Sequence, residues 1–224
     1  MKDKFLTLTG RSNLELIHFD NYLLHPVVIA PLVALQKKAK KEIQADLKIV
    51  SSYRNFERQQ VIWNGKLNGE RKVLDDQDNI VLKEEYSREE FILKVLRFSA
   101  LPGTSRHHWG TDFDIFDANN ISQENLALTH SECIGDGPCA KLHSWLDHEL
   151  ISSPFFRPYN YDQDGVAIEK WHLSYTLLAQ EYYKHYTIDI FLENLNKSSI
   201  AYKEIILKNP DFYFQKFVKN ISQD

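Results

Sequence analysis

"SRHHWGTDFDIF", Ser105 to Phe116, is the stretch on which the reading of this chain turns. Its second half, taken on to Asp117 as "TDFDIFD", alternates polar and apolar residues like a strand with one solvated or functional face. Asp112 and Asp114, at i and i+2, then project to the same side of that strand. His107 and His108 precede them across "WGT", where Gly110 permits the tight turn that brings an imidazole round to a carboxylate of the strand. One imidazole nitrogen and one carboxylate oxygen make half of a tetrahedral zinc shell. Spacing alone leaves a second reading open, a hydrogen-bonded structural His–Asp pair.

A third ligand has to come from elsewhere, and "IEKWH", Ile168 to His172, offers one. A catalytic zinc takes three protein ligands, keeps a position open, and needs a nearby carboxylate that does not ligate. On the metal reading His107, Asp114 and His172 are the ligands and Glu169 is the base. Residues i and i+3 of a flat strand face opposite sides, so Glu169 is expected on a bend before its strand settles. HExxH does not occur, which excludes the commonest zinc-peptidase helix. Of the nine histidines, His18, His25, His130, His143, His148 and His185 lack a matching carboxylate pattern and are expected on surfaces or helix faces.

Working outward, "HPVVIAPLVALQKKAKKEI" (His25 to Ile43) has apolar residues at helical spacing. "DLKIVSSYR" (Asp46 to Arg54) reads as a strand ending in serines. "NFERQQVIWNG" reads as a helix with Asn55 as N-cap and Gly65 as its stop. "SREEFILKVLRF" opens with Ser87 and Glu90 at capping-box spacing. Asn119 to Pro138 is loop-like, and "AKLHSWLDHEL" (Ala140 to Leu150) returns to helical spacing. "SPFFRPYNYDQDGVAIEKWHLSYT" looks like two aromatic-rich strands joined by a turn around "DQDG". Beyond it the chain is helical, with Asn209 and Pro210 as N-cap and first helical residue of the last helix. Helices gathered around a few locally paired strands predict an α+β fold: a small antiparallel sheet carrying the site, flanked by helices. Residues 1–180 are expected to form that domain and 181–224 a helical extension packed on it.

The 224 residues suffice for a core without help from disulfides or metal. Hydrophobic residues make up 43% and charged residues 26%, which excludes a disordered chain. The net charge is −4 and Lys and Arg are scattered, so the footprint of a nucleic-acid binder is missing. The longest apolar run, "PVVIAPLVAL", is far short of the ~20 residues of a membrane helix. The N-terminus has no apolar h-region or cleavage site. That predicts a cytoplasmic protein, or a periplasmic one if a leader has been removed. Cys133 and Cys139 flank "IGDGP" and read as two loop thiols.

Taken together, "SSYRNFERQ", "SRHHWGTDFDI" and "IEKWH" resemble the VanY-like zinc D-alanyl-D-alanine carboxypeptidases and L,D-carboxypeptidases, in the group that also holds lysostaphin-type and hedgehog-type zinc domains. That family shows a serine-containing segment ending Tyr-Arg with a glutamine shortly after, then S-x-H-x-x-G-x-A-x-D, then E-x-W-H. Ser52, Tyr53, Arg54 and Gln59 fit the first, Ser105, His107, Gly110 and Asp114 the second, and Glu169, Trp171 and His172 the third. The resemblance spans roughly Lys48 to Tyr175. It departs at Asp112, where the family has alanine; this second acid beside the metal ligand is expected either to alter the substrate pocket or simply to face a positive partner. Leu67 to Leu82 and the helical tail match nothing in the family pattern.

The resemblance implies one catalytic Zn2+ held by His107, Asp114 and His172. It implies that Glu169 takes a proton from the attacking water and passes it to the leaving amine. Arg54 would stabilise the oxyanion. Ser105 and Gln59, with Arg54, would position the substrate, although Ser105 could only cap its turn and Arg54 could form a surface salt bridge. Trp171 is expected as a pocket wall or core aromatic, and Tyr53 and Trp109 as packing residues. The implied activity is removal of a C-terminal D-alanine from peptidoglycan stem peptides or muropeptides, L,D- on a tetrapeptide or D,D- on a pentapeptide. An L-Ala-D-Glu endopeptidase with the same zinc site is the alternative. A catalytically silent zinc-binding module is a further one, against which the presence of Glu169 argues.

Overall fold

Residues Leu47 and Ile49 bury while Lys48 stays exposed, the alternation of a strand with one face on a core. In the computed structural model, which describes residues 4–12 and 15–222, this strand is β3 (Leu47–Ser51). It follows α1 (Lys4–Leu8), the hairpin β1 (Ile17–Phe19) and β2 (Tyr22–Leu24), and α2 (Pro26–Ile43). Next come α3 (Phe56–Leu67), α4 (Arg88–Leu96), β4 (Asp112–Asp117), α5 (Ala140–Glu149), β5 (Phe155–Phe156) and β6 (His172–Tyr175). The chain closes with α6 (Thr176–His185), α7 (Ile188–Lys197), α8 (Lys203–Ile206) and α9 (Pro210–Phe217). The architecture is the α+β arrangement expected, a small antiparallel sheet flanked by helices.

Local chemistry sets most helix starts. His25 caps α2 through its ring nitrogen, with Pro26 in the first turn. The Asn55 side chain caps α3 by accepting from Arg58 N. Ser87 and Glu90 form both halves of a capping box on α4. Asn209 precedes Pro210 as expected, but its side chain makes no cap bond. Gly65 does not stop α3, which runs on to Leu67 and gives way at Asn68 and Gly69. Gly65 is instead a place of close approach: a Cβ there would stand 3.0 Å from Arg71 Cδ, so the glycine lets the Arg71 side chain cross the helix.

The larger sheet has the order β3-β4-β6-β5 with every pairing antiparallel. In β4 all six residues are buried, so its polar face is functional rather than solvated. Phe113 and Ile115 on one face join Leu173, Leu47 and Ile49 in a core with α2 and α5. Asp112 and Asp114 therefore occupy the opposite face. β5 and β6 pair as expected, Phe155 against Tyr175. The expected tight turn around Asp162–Gly165 is instead a long loop, 157–171, that leaves the sheet and returns. This loop is held from outside by Arg97, whose Nη2 lies 2.8 Å from both Asp76 and Asp162 and whose Nη1 donates to the Gly165 carbonyl.

A second core gathers Leu8, Phe56, Trp63, Phe91, Ile92 and Trp109 with Ala179, Tyr186, Phe191, Leu195, Ile206 and Phe214. The helices after residue 180 thus share their apolar interior with α1, α3 and α4. They also brace the approach to His107: Tyr186 Oη donates to the Gly103 carbonyl at 2.6 Å, and Asn194 Nδ2 to the Pro102 carbonyl at 2.9 Å.

Candidate metal centre and cleft

His107 is carried by a short 3-10 turn, Arg106–Trp109, that ends at Gly110 with φ 68°. An L side chain is strained there, and a Cβ would also stand 2.5 Å from Leu16. The Nδ1 of His107 sits 2.9 Å from the Ser52 carbonyl and so carries the proton, which leaves Nε2 with its lone pair 3.4 Å from Asp114 Oδ2. His172 opens β6 as the direct register partner of Asp114. Its Nε2 lies 3.0 Å from Asp112 Oδ1, and its Nδ1 faces Asp114 Oδ1 at 3.6 Å and Glu169 Oε2 at 3.1 Å. One nitrogen of each ring is thus committed to an outer partner while the other turns inward.

The inward atoms of His107, Asp114 and His172 all lie within 4.8 Å of one another, and all three residues are buried. Asp114 Oδ1 is buried with no hydrogen-bond partner among the described residues. An unsatisfied buried carboxylate oxygen is costly, and a cation is the partner that removes the cost. Two imidazoles and one carboxylate are a donor set that divalent zinc accepts. Burial works to raise the Asp114 pKa, but His107, His172 and Arg54 outweigh it and hold the group ionised. His107 is pushed down by burial and by Arg54. Burial also lowers His172, yet its bonds to Asp112 and Glu169 prevail and raise it to about 9.

Asp112, the departure from the family pattern, stands behind His172 and faces a positive partner, the second of the two roles expected of it. Arg106 Nε donates to it at 2.8 Å and Thr111 Oγ1 at 2.7 Å, while Arg106 Nη2 donates to Ser174 Oγ at 2.6 Å. The carboxylate–imidazole contact fixes which nitrogen of His172 faces the cluster.

Glu169 is not part of β6. Its carbonyl accepts from His172 N at 3.2 Å and its own N–H donates to the Tyr159 carbonyl, which forms the bend its spacing required. Burial raises its pKa, against the opposing pull of His172. Among the described residues Arg54 enters no salt bridge and its buried Nε has no partner; burial lowers its pKa. Ser105 is 2% exposed, makes no capping bond, and lines the cleft. Gln59 does not line it: its Nε2 donates to the Ala100 carbonyl at 2.7 Å, so it supports a wall residue from behind. Trp171 is a wall, as expected, and Trp109 packs in the second core with its Nε1 on the Leu8 carbonyl.

His108 takes no part in the cluster. Its Nε2 accepts from Gly103 N at 3.1 Å and its Nδ1 donates to the Arg54 carbonyl at 2.6 Å. It ties three site segments together as a neutral ring. His143, expected on a surface or a helix face, lies on the inner face of α5, 1% exposed beside Arg157. Cys133 and Cys139 are free and buried.

The cleft around the cluster encloses about 470 Å³. Tyr159, whose ring meets His172 edge-on at 5.3 Å, lines it together with Lys66, Arg71 and Lys72. Sequence reasoning missed these four. Tyr159 lies in a segment read as strand, and the cations lie in the stretch beyond any motif.

Residues 21–178 match the family model described as VanY, D-alanyl-D-alanine carboxypeptidase. The chain belongs to the VanY carboxypeptidase family. Its members are metallopeptidases, and so is this VanY-family chain. Among relatives, an uncharacterized protein of Haemophilus influenzae is 39% identical over 99 residues, covering 42% of this chain and 67% of the relative. A second from that organism is 26% identical over 121 residues, covering 53% of this chain and 92% of the relative. The fold is similar to two solved structures. A mutant of the vancomycin-resistance D,D-pentapeptidase VanY in complex with Zn(II) has a TM-score of 0.54 at 22% identity, covering 77% of this chain and 85% of that one. VanYB in complex with D-alanine-D-alanine has a TM-score of 0.55 at 21% identity, covering 83% and 91%.

Proposed function

We propose that this chain is a zinc-dependent carboxypeptidase that removes a C-terminal D-alanine from peptidoglycan-derived peptides, by an L,D-cut on a tetrapeptide or a D,D-cut on a pentapeptide. The observation that carries the reading is the meeting of His107, Asp114 and His172 in one cleft with a non-ligating Glu169 beside them. When bound, zinc supplies a Lewis acid that polarises a carbonyl and makes water more acidic. The chain's own residues do the rest. Glu169, buried and with a raised pKa, takes the proton of the attacking water at its carboxylate and returns it to the leaving amine. Arg54, whose Nε lacks a protein partner, presents a fixed cation to the carbonyl oxygen as negative charge develops on it. Burial of Glu169, Arg54 and Tyr159 excludes water from around the reacting amide and strengthens these electrostatic terms.

The test is incubation of the zinc-loaded chain with purified disaccharide tetrapeptide and pentapeptide, with products read by mass. Loss of one alanine is expected. Release of the stem peptide between L-alanine and D-glutamate, or no product at all, would overturn the reading.

A further inference from the structure

Lys66, near the end of α3, turns into the cleft beside Arg54 and Glu169. Among the described residues its ammonium has neither a salt bridge nor a hydrogen bond. Arg71 reaches the same wall by passing over Gly65, and Lys72 follows it; neither forms an ion pair among the described residues. The acids of the cleft have other engagements. Asp114 belongs to the metal cluster, Asp78 accepts from Ser131 N, and Glu169 leans on His172. A chain of net charge −4 has therefore gathered unpaired cations at one end of its cleft.

Holding the partly buried Lys66 ammonium without an ion pair is unfavourable, and the structure sets two further cations, the exposed Arg71 and Lys72, on the same wall. Burial, more than the neighbouring Arg54 and Arg71, brings the Lys66 pKa down to about 8. An anion arriving with the substrate would reverse that cost.

We propose that Lys66, flanked by Arg71 and Lys72, is the subsite that receives the free C-terminal carboxylate of the substrate peptide and so makes this chain an exopeptidase. The inference rests on the peptidase reading of the cleft. It gives a role to the stretch after Leu67 that matches no motif of the family. A terminal carboxylate held at Lys66 beside Arg54 sets how far the chain end can run past the metal cluster, so that only the last amide reaches Glu169. Side-chain carboxylates of the stem peptide share this chemistry, and the test separates the two sources.

Zinc-loaded wild type, Lys66→Met and Lys66→Arg are assayed on one stem peptide in three forms: free acid, C-terminal amide, and free terminus with its internal glutamate carboxylate amidated. Wild type is expected to prefer the free terminus over the terminal amide roughly ten- to a hundredfold in kcat/KM, the worth of one charge-assisted hydrogen bond. The preference should lie mainly in KM, collapse in Lys66→Met, return in Lys66→Arg, and be unmoved by the internal amide. Equal turnover of acid and terminal amide by wild type, or a preference that survives in Lys66→Met or follows the internal carboxylate, overturns the inference. If no form is cleaved, the peptidase reading fails, and calorimetric binding of the same peptides decides the subsite. Tighter binding of the free terminus, lost in Lys66→Met, keeps it, and equal or absent binding overturns it.

Discussion

Asp114 and His172 face each other directly across the antiparallel pairing of β4 with β6. Two of the three cluster residues are thus spaced by backbone hydrogen bonds, and the third, His107, is tied to the Ser52 carbonyl at the end of β3. The sheet's backbone pairing thus brings the three side chains to one place.

Chelation therefore abolishes activity without unfolding the chain. Far-UV circular dichroism and cooperative melting should persist in the chelated protein, and added zinc should restore activity and raise Tm with its concentration. A chelated chain without a melting transition would count against the preformed site.

Glu169→Gln is expected to retain zinc and lose about 10²–10⁴-fold in kcat, the usual contribution of a general acid–base group. His172→Ala should lose both metal and activity. Metal content by elemental analysis beside kcat separates the two, and equal activity of Glu169→Gln and wild type sinks the assignment.

Asp112→Ala leaves the 4% exposed Arg106 without its carboxylate. Removing one partner of a buried pair costs about 3–5 kcal/mol, and releasing the outer nitrogen of His172 should weaken zinc about 10–100-fold. Urea unfolding and chelator competition measure the two effects, and unchanged zinc affinity would deny Asp112 its orienting role.

Acid should destabilise the fold before the carboxylates titrate. His108 and His143 are each held at about 3, chiefly by burial. Above the ordinary value near 6.5 neither state binds the proton, so there is no effect. As pH falls from 6.5 towards 3 the unfolded chain takes up protons that the folded chain refuses, and stability declines. Urea midpoints that stay flat between pH 6.5 and 4.5 would refute this.

Residues 181–224 should prove inseparable from the rest. Cutting after residue 180 removes Tyr186, Phe191, Leu195 and Phe214 from the core they share with Trp63 and Phe91. Each such side chain contributes about 1.5–3 kcal/mol, against a typical net stability of about 5–15 kcal/mol. The truncated chain is expected to lack a cooperative transition, and a sharp one would establish an independent domain.

The motifs could be read because their chemistry is local. Side-chain parity puts Asp112 and Asp114 on one face, a capping box needs only Ser87 and Glu90, and the bend at Glu169 follows from its spacing to His172. What could not be read depends on distant partners. Gly65 looks like a helix stop until Arg71 is seen crossing it, and nothing local tells which face of α5 His143 takes until Arg157 is seen packing on it. The turn expected at Asp162–Gly165 failed because its polar residues serve Arg97 rather than a hairpin. Lys66 carries no signal of its own, since a lysine near a helix end is ordinary.

The Arg97 guanidinium, 17% exposed on its side chain, bridges Asp76, which lies between the wall residues Leu74 and Asp78, to Asp162 of the loop that carries Glu169. The stretch bearing Arg71 and Lys72 and the stretch bearing the base are thereby riveted to one another. Loosening the rivet would therefore be felt at both rims, and should disturb selectivity and turnover together.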